Sequence, residues 1–327
     1  MKFLPLELLP TLWTASEREL FAGTSLASAT AAKLRSMENE FEVLKKKTQD
    51  IAWCSKYWWH QKNGALRLDD WKQVDAMYRS RALEFPGIGD SMVPCIDMAN
   101  HALGELTRAR YDIGQDGDAL LLLRDDVRMS RDEEVTITYG DEKGACEMLF
   151  SYGFIENDME DARAIFLELD MPSDDPLGRA KRAVATCAPG VKLTTLTDGV
   201  HWESDYVWLI CVNEEDGLRI AITQTTNGRQ QLDVQFEEHP LPDTARLKEC
   251  LHTHSLWEVF QLRAVSTIQD QVASQLQILY ELENKTADCR NDEGSTTRYR
   301  QRELALRLRV LETRLLEQAY ESLQQEV

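Results

Sequence analysis

Three polar side chains crowd into the stretch Val93-Pro-Cys-Ile-Asp-Met-Ala-Asn-His101, where Asp97, Asn100 and His101 fall within five residues of an otherwise apolar run. A carboxylate, an amide and an imidazole can between them both donate to and accept from a small polar ligand. The competing reading is a strand that ends in a polar turn. Asn100 is the residue that weighs against it, because an amide buried without partners costs on the order of 1 to 3 kcal/mol. A ligand or backbone carbonyls must answer that amide if the segment is as buried as its composition suggests. His101 fits a satisfied core histidine as readily as a ligand contact. A second cluster, His252-Thr-His254 close to Cys250, has metal-binding residue types, but nothing completes a tetrahedral set and no metal site is expected.

Three further local patterns surround the first in a fixed order: Ser80-Arg81 before it, then Ile137-Thr-Tyr139-Gly140, then Ser151-Tyr152-Gly153-Phe154. Each occurs by chance in many chains, whereas four in order carry weight. The elements that must position them are short. A helix is expected over Trp71 to Leu83, so that Arg81 sits at its end, after a mainly helical region from Ser16 to about Trp59 rich in Ala, Leu, Glu and Lys. "DALLLLRDDV" (Asp118 to Val127) reads as a strand after a turn, and "EEVTITYGD" alternates Val135, Ile137 and Tyr139 against Thr136 and Thr138, the period of a half-buried strand ended by Gly140. Gly87-Ile88-Gly89 reads as a flexible loop. Beyond "MLFSYGFIEND" the Pro172, Pro176, Pro189 and Gly190 punctuation suggests a domain boundary near residues 157 to 178. There "YVWLICV" and "LRIAITQTT" flank Asn213 to Gly217, whose Asp-Gly pair predicts a β-hairpin. Helices follow to the end. In the last, Tyr299 to Leu323, Leu304, Leu308, Leu311, Leu315, Ala319 and Leu323 form one apolar stripe, read as core packing, and "RNDEGSTTR" (290–298) reads as the loop before it.

The bulk numbers exclude several function classes. At 327 residues the chain exceeds what one core usually serves, so two domains are expected. Lys plus Arg is 37 against Asp plus Glu at 56, a formal net charge of −19, which disfavours nucleic acid as a direct ligand and favours basic partners. The seven cysteines, Cys54, Cys95, Cys146, Cys187, Cys211, Cys250 and Cys289, include no C-x-x-C pair and are odd in number. Reduced thiols of this kind fit a cytoplasmic or nuclear setting. No apolar run reaches the roughly 18 to 20 residues of a membrane span, so no membrane partner is expected.

Taken in order, the four patterns resemble the SET-domain protein lysine methyltransferases, in the branch typified by the Rubisco large-subunit and ribosomal-protein lysine methyltransferases. "LPLELLPTLW" and "FAGTSL" are similar to that family's helical insert, and "FQLRAV" with "RELALRLRVLETRLLEQ" to its substrate-binding domain. The resemblance implies an α+β fold: a partial SET domain of short strands over residues 1–157, with a helical insert at about 1–85 and the SET core at about 86–157. A mostly helical substrate-binding domain with a β-hairpin would follow over 158–327. It implies S-adenosylmethionine as cofactor, held by Asn100, His101, Asp97 and Arg81, and a lysine channel lined by Tyr139, Tyr152 and Tyr111, with Tyr139 matching the catalytic tyrosine. Tyr111 stands one residue out of register, and Leu83 takes a place often held by Phe. The implied substrate is a protein, ribosomal or otherwise basic.

The chemistry of the residues agrees with that role. A lysine with a pKa near 10.4 is neutral in only about one molecule in 2,500 at pH 7, so the site must favour the neutral amine, and a dry channel beside a sulfonium does so. Tyrosine rings exclude water while their hydroxyls orient an amine without adding a full negative charge. A strand tyrosine packed in a core is the competing reading for Tyr139 and Tyr152. The family also opens with a Gly-x-Gly segment upstream of the residues present, and Gly87 to Gly89 stands in the wrong order to replace it. A chain without that segment would bind the cofactor weakly by itself. The alternative function is therefore an inactive SET-family protein that binds a partner through its C-terminal domain.

Overall fold

The computed structural model describes residues 8–60, 65–125, 127–224, 230–241, 243, 245–287 and 296–326. The chain separates into two compact units, one of Met1–Ala22 with Leu26–Asn157, the other of Gly23–Ser25 with Asp158–Val327.

In the first unit, α1 (Ala15–Arg18) is nucleated by a capping box: Thr14 N–H donates to the Glu17 carboxylate at 2.7 Å, and Glu17 N–H to the Thr14 hydroxyl at 3.3 Å. Helix α2 (Ser25–Thr48), all of which but Ser25 belongs to this unit, buries Leu26, Thr30, Met37 and Phe41, one helical face. After α3 (Ala52–Cys54), which runs into a π-helical turn at Ser55–Trp59, comes α4 (Leu68–Arg81), three residues upstream of the expected start. Arg79 of α4 fixes this helix to its surroundings. Its guanidinium donates to Phe150 O at 2.6 Å and Thr11 Oγ1 at 2.9 Å, lies over the Phe150 ring, and pairs with Asp75 at 3.2 Å.

Next come β1 (Leu83–Phe85) and β2 (Gly89–Ser91), an antiparallel hairpin. Gly87-Ile88-Gly89, expected as a flexible loop, closes that hairpin, with Gly87 and Ile88 in the turn and Gly89 the first residue of β2. Gly87 and Gly89 take φ of +75° and +86°, which a side chain at either position would strain although space for one exists. The two-residue β3 (Asn100–His101) pairs in parallel with β6 (Thr136–Ile137), while β4 (Ala109–Ile113) and β5 (Ala119–Leu123) form a separate antiparallel ribbon. Leu120, Leu121 and Leu123 of β5 are exposed. Leu83, Phe85, Ile96, Ala109 and Ile137 make the small core of this region, and Tyr111 and Tyr139 pack against it. Helix α5 (Ala145–Tyr152) ends at Gly153.

The second unit holds two three-stranded antiparallel sheets. β7 (Ala164–Glu168), β8 (Gly190–Leu196) and β9 (Gly199–Glu203) form the first; β10 (Leu218–Gln224), β11 (Gln230–Phe236) and β12 (His239–Pro240) the second. Gly190 must be glycine because a Cβ there would stand 2.3 Å from Leu167 O. The helices are α6 (Gly178–Val184), α7 (Tyr206–Cys211), α8 (Ala245–His252), α9 (Trp257–Ala287) and α10 (Thr296–Glu326). The hairpin expected around Asp216-Gly217 is not formed. "YVWLIC" is α7, and all six of its residues are buried. A short helix buried on every side has no periodicity to distinguish it from a buried strand. Asn213 caps a 3-10 turn at Glu214–Asp216, and β10 pairs with β11 instead.

Helix α10 buries Leu308, Leu311, Leu315, Ala319 and Leu323 of the expected stripe; Leu304 is half-buried. Of the segment 290–298, residues 290–295 lie outside the described residues, and 296–298 are the first turn of α10 rather than loop. The mixture of helix and short strands followed by a helical C-terminal region is the α+β class expected.

Candidate active site

Val93–His101 is exposed or half-buried except at one residue. Pro94, Cys95, Met98 and Asn100 face solvent, and only Ile96 is buried. Cys95 adopts φ +77° and ψ −43°, a positive-φ conformation outside the left-handed helical well that costs a residue with a Cβ roughly 1 to 3 kcal/mol. It turns the chain into the 3-10 helix Ile96–Met98, where Asp97 is half-buried and its N–H donates to Val93 O at 3.0 Å. The expectation of a buried Asn100 amide is overturned. Successive strand residues point to opposite faces, so Asn100 and His101 of β3 cannot both face the core, and it is His101 that turns inward. The Asn100 amide nitrogen donates to the Glu134 carboxylate at the surface, which leaves the amide oxygen able to accept from a ligand.

His101 is the centre of a hydrogen-bonded group. Its Nδ1 accepts the backbone N–H of Tyr139 at 3.0 Å, and its Nε2 lies 2.9 Å from Glu156 Oε1, with both side chains nearly inaccessible. Tyr139 is held at its other end by its hydroxyl, which donates to Ala99 O at 2.9 Å. The proton of that hydroxyl is thus committed to the backbone, and its oxygen can accept from an N–H.

Around this group the aromatic side chains converge. The Tyr139 ring lies 4.5 Å from Tyr152, 5.2 Å from His101 and 6.5 Å from Phe154; Tyr152 and Phe154 are 6.3 Å apart. Tyr111 packs edge-on against Phe85 at 5.1 Å. Burial pushes the Tyr152 phenol up to about 12, with Glu147, Tyr111 and Asp90 adding to it. Burial, with Glu84 behind it, also raises Tyr111. Both phenols therefore stay neutral at any physiological pH. The structure brings Tyr139 into contact with both Tyr152 and His101, and seats Tyr111 against Phe85. Asn100 adjoins them through the backbone. Arg81, half-buried, ends α4 just ahead of β1, and Asp97 lies two residues before the Ala99 carbonyl that holds Tyr139.

Glu156 and Glu134 have almost no signal in the sequence. An acidic residue in the apolar "YGFIEN" was the only local sign of the first, and nothing local marks the second. Among the described residues no group of His, Cys, Asp and Glu could hold a metal ion; His254 pairs with Glu237 at 3.0 Å. Nor, among the described residues, is any helix long and apolar enough to cross a membrane.

No family model matches the chain. It is 30% identical over 231 residues to SET domain-containing protein 8 of Schizosaccharomyces pombe, an alignment that covers 70% of this chain and 50% of that protein. It is 28% identical over 179 residues to the chloroplastic [fructose-bisphosphate aldolase]-lysine N-methyltransferase of Arabidopsis thaliana, covering 53% of this chain and 36% of the relative. The chain thus spans half or less of the length of these relatives. Among solved structures, the SET domain of LSMT bound to methyllysine and AdoHcy matches 99% of this chain and 70% of its own at a TM-score of 0.63 and 18% identity. Rubisco LSMT bound to AdoMet matches with a TM-score of 0.62, 18% identity and coverage of 99% and 69%. At that identity the likeness shows the fold.

Proposed function

Since the chain is a homologue of SET-domain proteins and carries the fold of a SET-domain methyltransferase, we propose that it transfers a methyl group from S-adenosylmethionine to a lysine side chain of a protein. The observation that carries the reading is the convergence of Tyr139, Tyr152 and Phe154 on the inward-facing His101, next to an outward-facing Asn100. The chemistry of the donor set fits the cofactor. Asn100 has an amide oxygen to offer and Glu134 a carboxylate, both suited to the ammonium of an amino-acid moiety, and Asn100, His101, Asp97 and Arg81 are the residues proposed to hold it. When bound, S-adenosylmethionine supplies an electrophilic methyl group on a sulfonium.

The chain's own residues do the rest. Tyr139, Tyr152 and Tyr111 wall off water, which disfavours the ammonium form of an entering lysine. Tyr152, raised to about 12, adds no negative charge that would re-protonate the amine. The Tyr139 oxygen, with its own proton directed at Ala99 O, accepts an N–H of the neutral amine and aims the nitrogen lone pair for an in-line displacement.

The second unit is proposed as the substrate-binding domain, and the net charge of −19 supports a basic protein, ribosomal or otherwise, met in the cytoplasm or nucleus. The test is calorimetric titration of the chain with S-adenosylmethionine and S-adenosylhomocysteine, together with transfer of labelled methyl to a lysine-rich histone mixture. Binding and transfer support the proposal; failure of both, also when a segment carrying a Gly-x-Gly turn is fused to the N-terminus, refutes it.

A further inference from the structure

The Tyr139 backbone N–H needs a lone pair on His101 Nδ1, 3.0 Å away. An imidazole offers one there only when its proton is on Nε2. The group facing Nε2 at 2.9 Å is the Glu156 carboxylate, which as an anion can only accept. The two hydrogen bonds therefore demand the same tautomer. Solvent does not choose it, because the His101 and Glu156 side chains are 6% and 4% exposed. Nor can the ring turn easily, being packed between Tyr139 at 5.2 Å and Phe154 at 5.8 Å.

We infer that Glu156 is a positioning residue for Tyr139, acting through His101: it holds the imidazole in the Nε2–H tautomer that accepts the Tyr139 N–H. This rests on the proposed methyl transfer for its functional meaning. The backbone agrees with the assignment. His101 pairs with Ile137 across β3 and β6, Ala102 N–H donates to Ile137 O at 3.0 Å, and the Tyr139 hydroxyl is seated on Ala99 O. Tyr139 is thus gripped at both ends by the segment 99–102, and its backbone grip depends on a proton position that Glu156 stabilises by accepting the Nε2–H, which would otherwise be a buried donor without a partner. In the other tautomer an N–H of His101 would oppose the N–H of Tyr139, two donors face to face in a buried site. The tyrosine would move, and a displacement of about 1 Å in a positioning group can cost about a hundredfold in rate.

The test uses the full chain labelled with 15N in its histidine rings, with His101→Asn identifying the His101 signals. Wild type and Glu156→Gln, whose amide oxygen still accepts, should show His101 as the Nε2–H tautomer. Glu156→Leu should shift it toward Nδ1–H or a mixture. For methyl transfer to a lysine-rich histone mixture, Glu156→Leu should lower kcat by about tenfold or more, with a much smaller change in the Kd for S-adenosylmethionine, and Glu156→Gln should restore most of the rate. An Nδ1–H tautomer in wild type overturns the inference, and so does an unchanged tautomer in Glu156→Leu. Should Glu156→Leu not fold, Glu156→Asp, one methylene shorter, must show the same shift in weaker form. Absence of binding and methyl transfer in wild type and in the fusion carrying a Gly-x-Gly turn would defeat the proposed function, while the tautomer measurements would still decide the role of Glu156.

Discussion

Replacing Glu312 with Gln should remove a pH dependence that wild type carries in its second unit. Glu312 is fully buried in α10, and its carboxylate accepts the backbone N–H of Ser25 at 3.0 and 3.2 Å and the Ser25 hydroxyl. Burial dominates over those bonds and raises its pKa from 4.5 to about 7. The folded value lies above the unfolded one, so the unfolded state loses its proton first as pH rises. The resulting stability is fully present below about 4.5, falls as pH climbs to about 7 and is flat above. A shift from 4.5 to about 7 at 1.36 kcal/mol per unit amounts to about 3 kcal/mol, of which about 2.5 kcal/mol falls between pH 5 and pH 8. The glutamine side chain of the variant keeps an oxygen for Ser25 but cannot ionise. Its amide hydrogens carry a cost of their own, which is independent of pH and cancels in the comparison. The assay is urea unfolding of wild type and Glu312→Gln at both pH values, followed by tryptophan fluorescence from Trp202, Trp208 and Trp257 of the same unit. Wild type should lose about 2.5 kcal/mol relative to the variant from pH 5 to pH 8. A relative change under about 0.5 kcal/mol would show that the buried carboxylate does not govern this unit's stability.

Tyr139→Phe loses the hydrogen bond to Ala99 O and should cost only about 0.5 to 1.5 kcal/mol of stability, yet lower the methyl-transfer rate by about a hundredfold with little change in S-adenosylmethionine affinity; equal losses in both would mark it as merely structural. The alkaline titration of tyrosinate absorbance should contain a component near 12 that Tyr152→Phe removes, whereas a component near 10 would mean that the ring is open to water. Cys95→Gly should stabilise the first unit by roughly 0.5 to 2 kcal/mol in thermal unfolding, the positive-φ cost of about 1 to 3 kcal/mol less the entropy of glycine; a lower melting temperature would contradict the strain. Binding of a basic substrate protein should weaken markedly between roughly 50 and 300 mM salt, since a chain of net charge −19 would steer it electrostatically, and salt-independent binding would rule that steering out.

Sequence alone determined the features that local pattern encodes. The apolar stripe of α10 follows from its spacing, and burial of Leu308, Leu311, Leu315, Ala319 and Leu323 follows from the stripe. The order of Asp97-Met-Ala-Asn100-His101, Tyr139-Gly140 and Tyr152-Gly153-Phe154 was enough to point to a SET-type fold. Tertiary structure alone decided what depends on neighbours distant in the chain. Asn100 and His101 are adjacent in sequence, and only the pairing of β3 with β6 sends one outward and the other inward. "YVWLIC" became α7 because it is enclosed on every side, which erases the periodicity that would have revealed it. The two buried carboxylates were invisible for the same reason: Glu156 meets His101 across 55 residues and Glu312 meets Ser25 across 287. A carboxylate carries no periodic signal of its partner, so its pKa, its hydrogen bonds and the tautomer it imposes come into being only when the chain closes around it.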